Sequence, residues 1–116
     1  MQSYKGSCHC KNVQYEVQMS LEGAFECNCS ICSKKGTVLA MATPQNFKLI
    51  SGAEAQTNYQ FYKKAIHHTF CKTCGVTSFV KGSDPAGNEM IAINVRCLDG
   101  VDIKSMKLGY VDGKSF

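Results

Sequence analysis

Cys71-Lys72-Thr73-Cys74-Gly75 decides how the rest of this chain is read. Two cysteines separated by two residues and followed by glycine resemble a zinc knuckle. The turn between them aims backbone N–H groups at the sulfurs, and glycine supplies the positive φ that such a turn often requires. A knuckle is a rigid half-site. Outward from it stand Cys8-His9-Cys10 and Cys27-Asn28-Cys29-Ser30-Ile31-Cys32, so seven of the eight cysteines form a two-three-two pattern. The natural complement of one two-cysteine half-site is another, which makes Cys8, Cys10, Cys71 and Cys74 a closed four-thiolate site. Cys27, Cys29 and Cys32 then remain as a three-ligand set, with the fourth position free for water or substrate. Zinc is the expected ion, because thiolates are the soft ligands it prefers.

Many cysteines in a small chain also suit a disulfide framework, the usual arrangement in secreted proteins. The spacing opposes it. Cysteines one or two residues apart bridge each other poorly, because their Cα separation and Cβ directions seldom suit so short a loop. Met1-Gln2-Ser3-Tyr4-Lys5 opens with neither a basic leader nor an apolar stretch, so a soluble, cytoplasmic protein is expected.

At 116 residues the chain has room for a single domain spanning 1–116 and a modest core. Apolar residues make up 44% and charged residues 19%, with two prolines, which describes a globular chain without linkers. No apolar run approaches the roughly 20 residues of a membrane span, so no membrane partner is expected. The formal charge is +4. Seven ligand thiolates and two Zn²⁺ would lower it to about +1. Such a balance, with only the pairs Lys34-Lys35 and Lys63-Lys64 as basic clusters, gives no electrostatic argument for a nucleic-acid partner.

Strands dominate the pattern. Val13-Gln14-Tyr15-Glu16-Val17 alternates apolar and polar, as does Thr57-Asn58-Tyr59-Gln60-Phe61. Residues 37–42 and 90–95 are apolar enough for strands buried on both faces, and residues 47–50 and 76–80 add two more. Residues 82–88 form the clearest loop, with turns at Ser51-Gly52 and Leu98-Asp99-Gly100. One short helix is expected at residues 30–34, with another possible after Thr43-Pro44. The fold class is all-β, with small sheets and metal ions supporting a thin core. In a strand, residues i and i+2 share a side, so Cys8 with Cys10, and Cys27 with Cys29, can each face one ion while His9 points away.

Gly6-Ser7-Cys8-His9-Cys10 with Val13-Gln14-Tyr15, then Cys27-Asn28-Cys29-Ser30-Ile31-Cys32, Phe70-Cys71-Lys72-Thr73-Cys74-Gly75 and Asn94-Val95-Arg96-Cys97-Leu98-Asp99 together carry a family signature. Across nearly the whole chain it resembles the glutathione-dependent formaldehyde-activating family, related to the centromere-protein-V domain. The resemblance implies a β-tent zinc fold of several small coiled antiparallel sheets. It also implies two zinc ions, structural at Cys8, Cys10, Cys71 and Cys74 and catalytic at Cys27, Cys29 and Cys32. The implied chemistry is that of a carbon–sulfur lyase, which interconverts formaldehyde and glutathione with S-hydroxymethylglutathione.

The charge of such a site sets its needs. Zn²⁺ with three thiolates carries a net negative charge and a fourth thiolate doubles it, so nearby cations or N–H donors are required. Lys34, Lys35, Arg96, His67 and His68 are the available groups. His68, three residues before Cys71, is an acid or base near the open site, or more simply a group beside a ligand. Cys97 reads as a small buried hydrophobe, and Glu22 and Glu26 as solvated carboxylates. Tyr59, Phe61 and Phe70 read as core rather than as a substrate wall. Two functional classes follow: a zinc-dependent lyase on a glutathione-aldehyde or related thiol adduct, and a non-catalytic zinc-stabilised binding module of the centromere-protein-V type. The oligomeric state is not written in the sequence.

Overall fold

The computed structural model describes residues 1–61 and 66–115, and the Lys63-Lys64 pair lies outside the described residues. In chain order the first strands are β1 (Gln2–Ser7), β2 (Gln14–Met19), β3 (Phe25–Cys27), β4 (Leu39–Ala42) and β5 (Phe47–Ser51). They are followed by β6 (Gln56–Tyr59), β7 (His67–Cys71), β8 (Phe79–Ser83), β9 (Glu89–Asn94) and β10 (Gly109–Val111). The one α-helix among the described residues, α1 (Ser30–Lys35), follows β3 where a helix was expected, and Pro44–Asn46 forms a single 3₁₀ turn. The protein is all-β, as the alternating pattern indicated.

Alternation along β2 buries Tyr15, Val17 and Met19 and leaves Gln14, Glu16 and Gln18 exposed, the consequence of a pleat with one face on the core. β2 is the centre of a three-stranded antiparallel sheet between β1 and β5. The second sheet has seven strands in the order β10-β3-β4-β9-β8-β7-β6. Its pairings are antiparallel except at one edge, where β10 joins β3 in parallel. Tyr15, Phe47 and Phe79 join the two sheets in an aromatic cluster with centroid separations of 5.4, 5.7 and 4.9 Å. The buried Tyr15 hydroxyl donates to the carbonyl of Ser78 at 3.3 Å, so a polar handle is satisfied inside the core.

Several expectations need correction. Strand β8 starts at Phe79, not at residue 76, because the backbone just before it is used elsewhere. The Val76 carbonyl accepts from Cys71 N at 3.0 Å, the Thr77 carbonyl from Asn94 Nδ2 at 2.8 Å, and the Ser78 carbonyl from Asn94 N at 3.0 Å. Strand β4 begins at Leu39, and Met41 is exposed, so that strand is not buried on both faces. The loop after β8 is confined to residues 84–88, where Asp84 Oδ1 accepts from the N–H groups of Ala86 and Asn88. Tyr59, Phe61 and Phe70 are not core. Tyr59 is 52% exposed on the edge strand β6, whereas Phe61, just after β6, and Phe70, on β7, are half-buried.

Candidate metal centres

Cys8, Cys10, Cys71 and Cys74 come together with all four sulfurs within 4.8 Å of one another. The two halves are both turns. Cys71 ends β7, its carbonyl accepts from Gly75 N at 2.8 Å, its sulfur accepts from Thr73 N at 3.4 Å, and Gly75 takes φ +81°. That is the knuckle geometry read from the sequence. Cys8 and Cys10 are not on a strand, which ends at Ser7, but in the loop joining β1 to β2. The loop is closed by Cys8 N donating to the Val13 carbonyl, turned by Lys11 at φ 67°, and it too aims a backbone N–H at sulfur, Val13 N to Cys8 Sγ at 3.4 Å. His9 is exposed and is not among the four clustered residues, although the strand alternation expected to turn it away is absent here.

The sulfur spacing fits zinc. A tetrahedron with metal–sulfur bonds of about 2.3 Å has sulfur–sulfur edges of about 3.8 Å. Cys8–Cys10 and Cys10–Cys71 stand at 3.7 and 3.6 Å, far beyond a disulfide and close to that edge. The donor groups also prepare the thiolates. Cys74 is pulled down to about 6, first by a backbone hydrogen bond involving Cys10, with that of Val76 adding to it against the cost of burial.

Cys27, Cys29 and Cys32 form the second cluster, again with sulfurs within 4.8 Å of one another, and among the described residues no fourth His, Cys, Asp or Glu joins them. Cys27 is the last residue of β3, and Cys29 is the N-cap of α1 rather than a strand residue. Its sulfur accepts from Cys32 N at 3.4 Å, a cap that brings the first turn of the helix back over the ligand loop. Gly36 ends the helix in the left-handed region and donates to the Cys32 carbonyl, which fixes where Cys32 stands. Burial opposes ionisation of Cys29, but the Cys32 N–H and the neighbouring sulfurs outweigh it and hold the thiol below its ordinary value. Cys32 is pushed up to about 12, chiefly by burial and then by Cys29 and Cys27. One thiolate therefore forms readily and another resists, which is what three crowded sulfurs do until a cation compensates them.

Among the cations named from the sequence, Lys35 stands out. Its Nζ donates to Thr77 Oγ1 at 2.6 Å and stands 5.7 Å from the centroid of the Phe70 ring. Burial lowers its pKa while the Cys32 charge opposes that fall. His68 is 7% exposed and stacks on Phe61 at 5.2 Å, and Phe61 also stacks with Tyr59 at 5.7 Å. Burial first, then Lys35 and His67, hold His68 below the ordinary histidine value, so its imidazole is neutral near pH 7. By strand alternation His67 faces the other side of β7, where it hydrogen-bonds with Asn58 at 3.0 Å. Arg96 is occupied by the Gly36 carbonyl, and Lys34, Glu22 and Glu26 are exposed. Cys97 belongs to neither cluster; its thiol donates to the Thr77 carbonyl at 3.5 Å, and burial pushes it up to about 11.

Sequence reasoning missed Asn28, Thr77, Asp112 and Gly113. Asn28 stands between two ligands of the three-sulfur cluster and is bonded to the C-terminal segment. Asp112-Gly113, a turn dipeptide, was the available signal.

The geometry defines an all-β protein with one four-sulfur and one three-sulfur cluster, each arranged so that it could hold a metal ion. Residues 3–109 match the family described as glutathione-dependent formaldehyde-activating enzyme, and the chain belongs to that family. A crystal structure of a Rhodobacter sphaeroides protein is similar, with a TM-score of 0.82 and 32% identity over 92% of this chain and 99% of the other.

Proposed function

We propose that this protein is a zinc-dependent carbon–sulfur lyase acting on a glutathione–aldehyde adduct, forming or breaking S-hydroxymethylglutathione or a related small thiol adduct. Residues 1–116 act as one zinc-binding domain. Cys8, Cys10, Cys71 and Cys74 hold a structural zinc, and Cys27, Cys29 and Cys32 hold a second zinc whose fourth position is left to the substrate. The observation that carries this reading is the three-sulfur cluster next to a cation anchored on Thr77, in a chain of this family.

When bound, an open zinc favours the thiolate over the thiol and polarises a carbonyl oxygen. The chain's own residues supply the rest. Lys35, fixed by Thr77 and Phe70, offsets the negative charge that gathers when a substrate thiolate joins three cysteine thiolates, and attracts an anionic tripeptide. His68, neutral and within the field of Lys35, accepts the hydroxyl proton as the adduct's carbon–sulfur bond breaks to leave aldehyde and thiolate. In the reverse direction the same proton returns to the new hydroxyl as sulfur attacks the carbonyl carbon. Free thiolates at seven positions need a reducing compartment, which is why the cytoplasm is the proposed location.

Exchange between formaldehyde, glutathione and their adduct, followed by NMR line broadening with and without protein, tests the activity. The zinc-loaded parent should accelerate exchange, and Cys32→Ser should reduce it to the uncatalysed rate. A parent with two zincs per chain that leaves exchange at the uncatalysed rate contradicts the lyase reading and favours the binding module.

A further inference from the structure

The three-sulfur cluster is covered by a segment of the chain that lies beyond residue 109, where the match to the family ends. β10 adds to β3 in parallel with Val111 opposite Cys27, and the Asn28 N–H donates to the Val111 carbonyl at 3.2 Å. The chain then turns back over the ligand loop. Asn28 Nδ2 donates to Asp112 Oδ1 at 2.8 Å, and Asn28 Oδ1 accepts from Lys114 N at 2.9 Å. A carboxylate only accepts and a backbone N–H only donates, so the orientation of the amide is fixed by its two partners. Asp112 is itself held by Ser115, whose hydroxyl donates to Oδ2 at 2.7 Å.

Gly113, between the two bonds, sits against the Cys27 sulfur and the Cys29 Cβ and backbone nitrogen. A Cβ added there would stand 2.5 Å from Cys27 Sγ, closer than real Cβ contacts come, and a tight 3.1 Å from Cys29 Cβ. The ligand loop is short and lacks a backbone turn of its own until α1 begins, so its one intervening residue, Asn28, has its side chain and N–H committed to this strap. Cys32 is placed by the helix, with a side-chain hydrogen bond to Thr37.

We infer that the strap at residues 111–115 is a positioning device for the three-sulfur centre: Asp112 and Lys114 grip Asn28, and Gly113 sets where the Cys27 and Cys29 sulfurs stand. The inference rests on the reading that Cys27, Cys29 and Cys32 hold a metal, and not on which substrate is processed. It makes Gly113 and Asp112 determinants of metal affinity and coordination geometry although neither is a ligand.

Titration of the metal-free full chain with cobalt(II) tests it, since thiolate-to-cobalt and d–d absorption bands report the sulfur geometry directly, without any turnover. The parent should take up two equivalents. Gly113→Ala should bind one of them 10- to 100-fold more weakly, the usual effect of altering groups that orient ligands, with shifted d–d bands for that equivalent alone. Asp112→Ala should weaken the same equivalent, and Asp112→Asn, which keeps an acceptor for Asn28, should restore it. Second-equivalent affinity and spectra equal to the parent's in both Gly113→Ala and Asp112→Ala would overturn the strap. Should Gly113→Ala fail to fold, the Asp112 pair decides, a parent-like Asp112→Ala being the overturning result. A parent that binds only one equivalent would overturn the metal reading itself, and the strap with it.

Discussion

Lys35 Nζ donates to Thr77 Oγ1 at 2.6 Å, which joins the last turn of α1 to the residues just ahead of β8 and brings a cation to the Cys32 side of the three-sulfur cluster. Thr77 is buried, so the ammonium has a fixed acceptor although Lys35 as a residue is exposed. The neighbouring Lys34, equally exposed, has no comparable anchor among the described contacts.

This difference gives the first test. Lys35→Met keeps the aliphatic stem and removes the charge, so glutathione affinity should fall about tenfold or more, the scale of a hydrogen bond to a charged group. Zinc content should stay unchanged. Lys34→Met should have a much smaller effect that vanishes at high salt, as screening dictates for an exposed charge. Calorimetric titration of glutathione at two salt concentrations makes the comparison; equal effects from the two lysines would contradict the role given to Lys35.

The four-sulfur cluster ties Cys10 to Cys71 across 61 residues, whereas the three-sulfur cluster is local in sequence. A metal bound at the first would therefore contribute folding free energy. Cys71→Ser or Cys8→Ser should give insoluble or unfolded protein, and Cys32→Ser a folded one lacking about one zinc and any lyase activity. Metal analysis with thermal melting, with and without chelator, checks this. A Cys71→Ser variant that melts like the parent would refute the structural assignment, and equal losses from Cys8→Ser and Cys32→Ser would favour two structural ions.

Loading the three-sulfur cluster should release protons. Burial and the neighbouring sulfurs push Cys32 up to about 12, so the empty cluster keeps that proton at neutral pH and the incoming metal must displace it. Raising the pH removes the competitor, so affinity for the second equivalent should rise with pH and weaken as pH falls. Calorimetry in buffers of different ionisation enthalpy, on protein whose first site is already filled, counts the protons released. An affinity that does not change between roughly pH 6 and 8 would be the contrary result.

Phe79 joins the two sheets through Tyr15 and Phe47 and is 1% exposed. Phe79→Ala should cost about 3–5 kcal/mol in urea unfolding, the range for deleting a buried aromatic ring. A loss under about 1 kcal/mol would mean that the sheets are held by the metal alone.

The sequence carried the cysteine grouping because each cluster is a local motif whose spacing limits where sulfurs can point. It misplaced Cys8, Cys10 and Cys29 on strands, since an x spacing suits a strand and a tight turn equally, and backbone N–H groups directed at sulfur selected the turn. Tyr59 and Phe61 alternate as core residues do, but Tyr59 lies on β6, the last strand of the sheet among the described residues, and Phe61 just beyond it. The strap was illegible for a different reason. Asn28 and Asp112 are 84 residues apart, and their pairing depends on β10 joining β3 in parallel, which no local pattern announces.

In the proposed function, Cys27, Cys29 and Cys32 hold a zinc whose fourth position accepts the thiol of glutathione. Cadmium-113 NMR of the fully substituted protein tests it directly, because the chemical shift reports how many sulfurs surround each ion. The account expects two resonances, one from a four-sulfur site that ignores glutathione and one from a three-sulfur site that moves toward the first as millimolar glutathione is added. Two four-sulfur resonances, or a three-sulfur resonance that glutathione leaves unmoved, would contradict it.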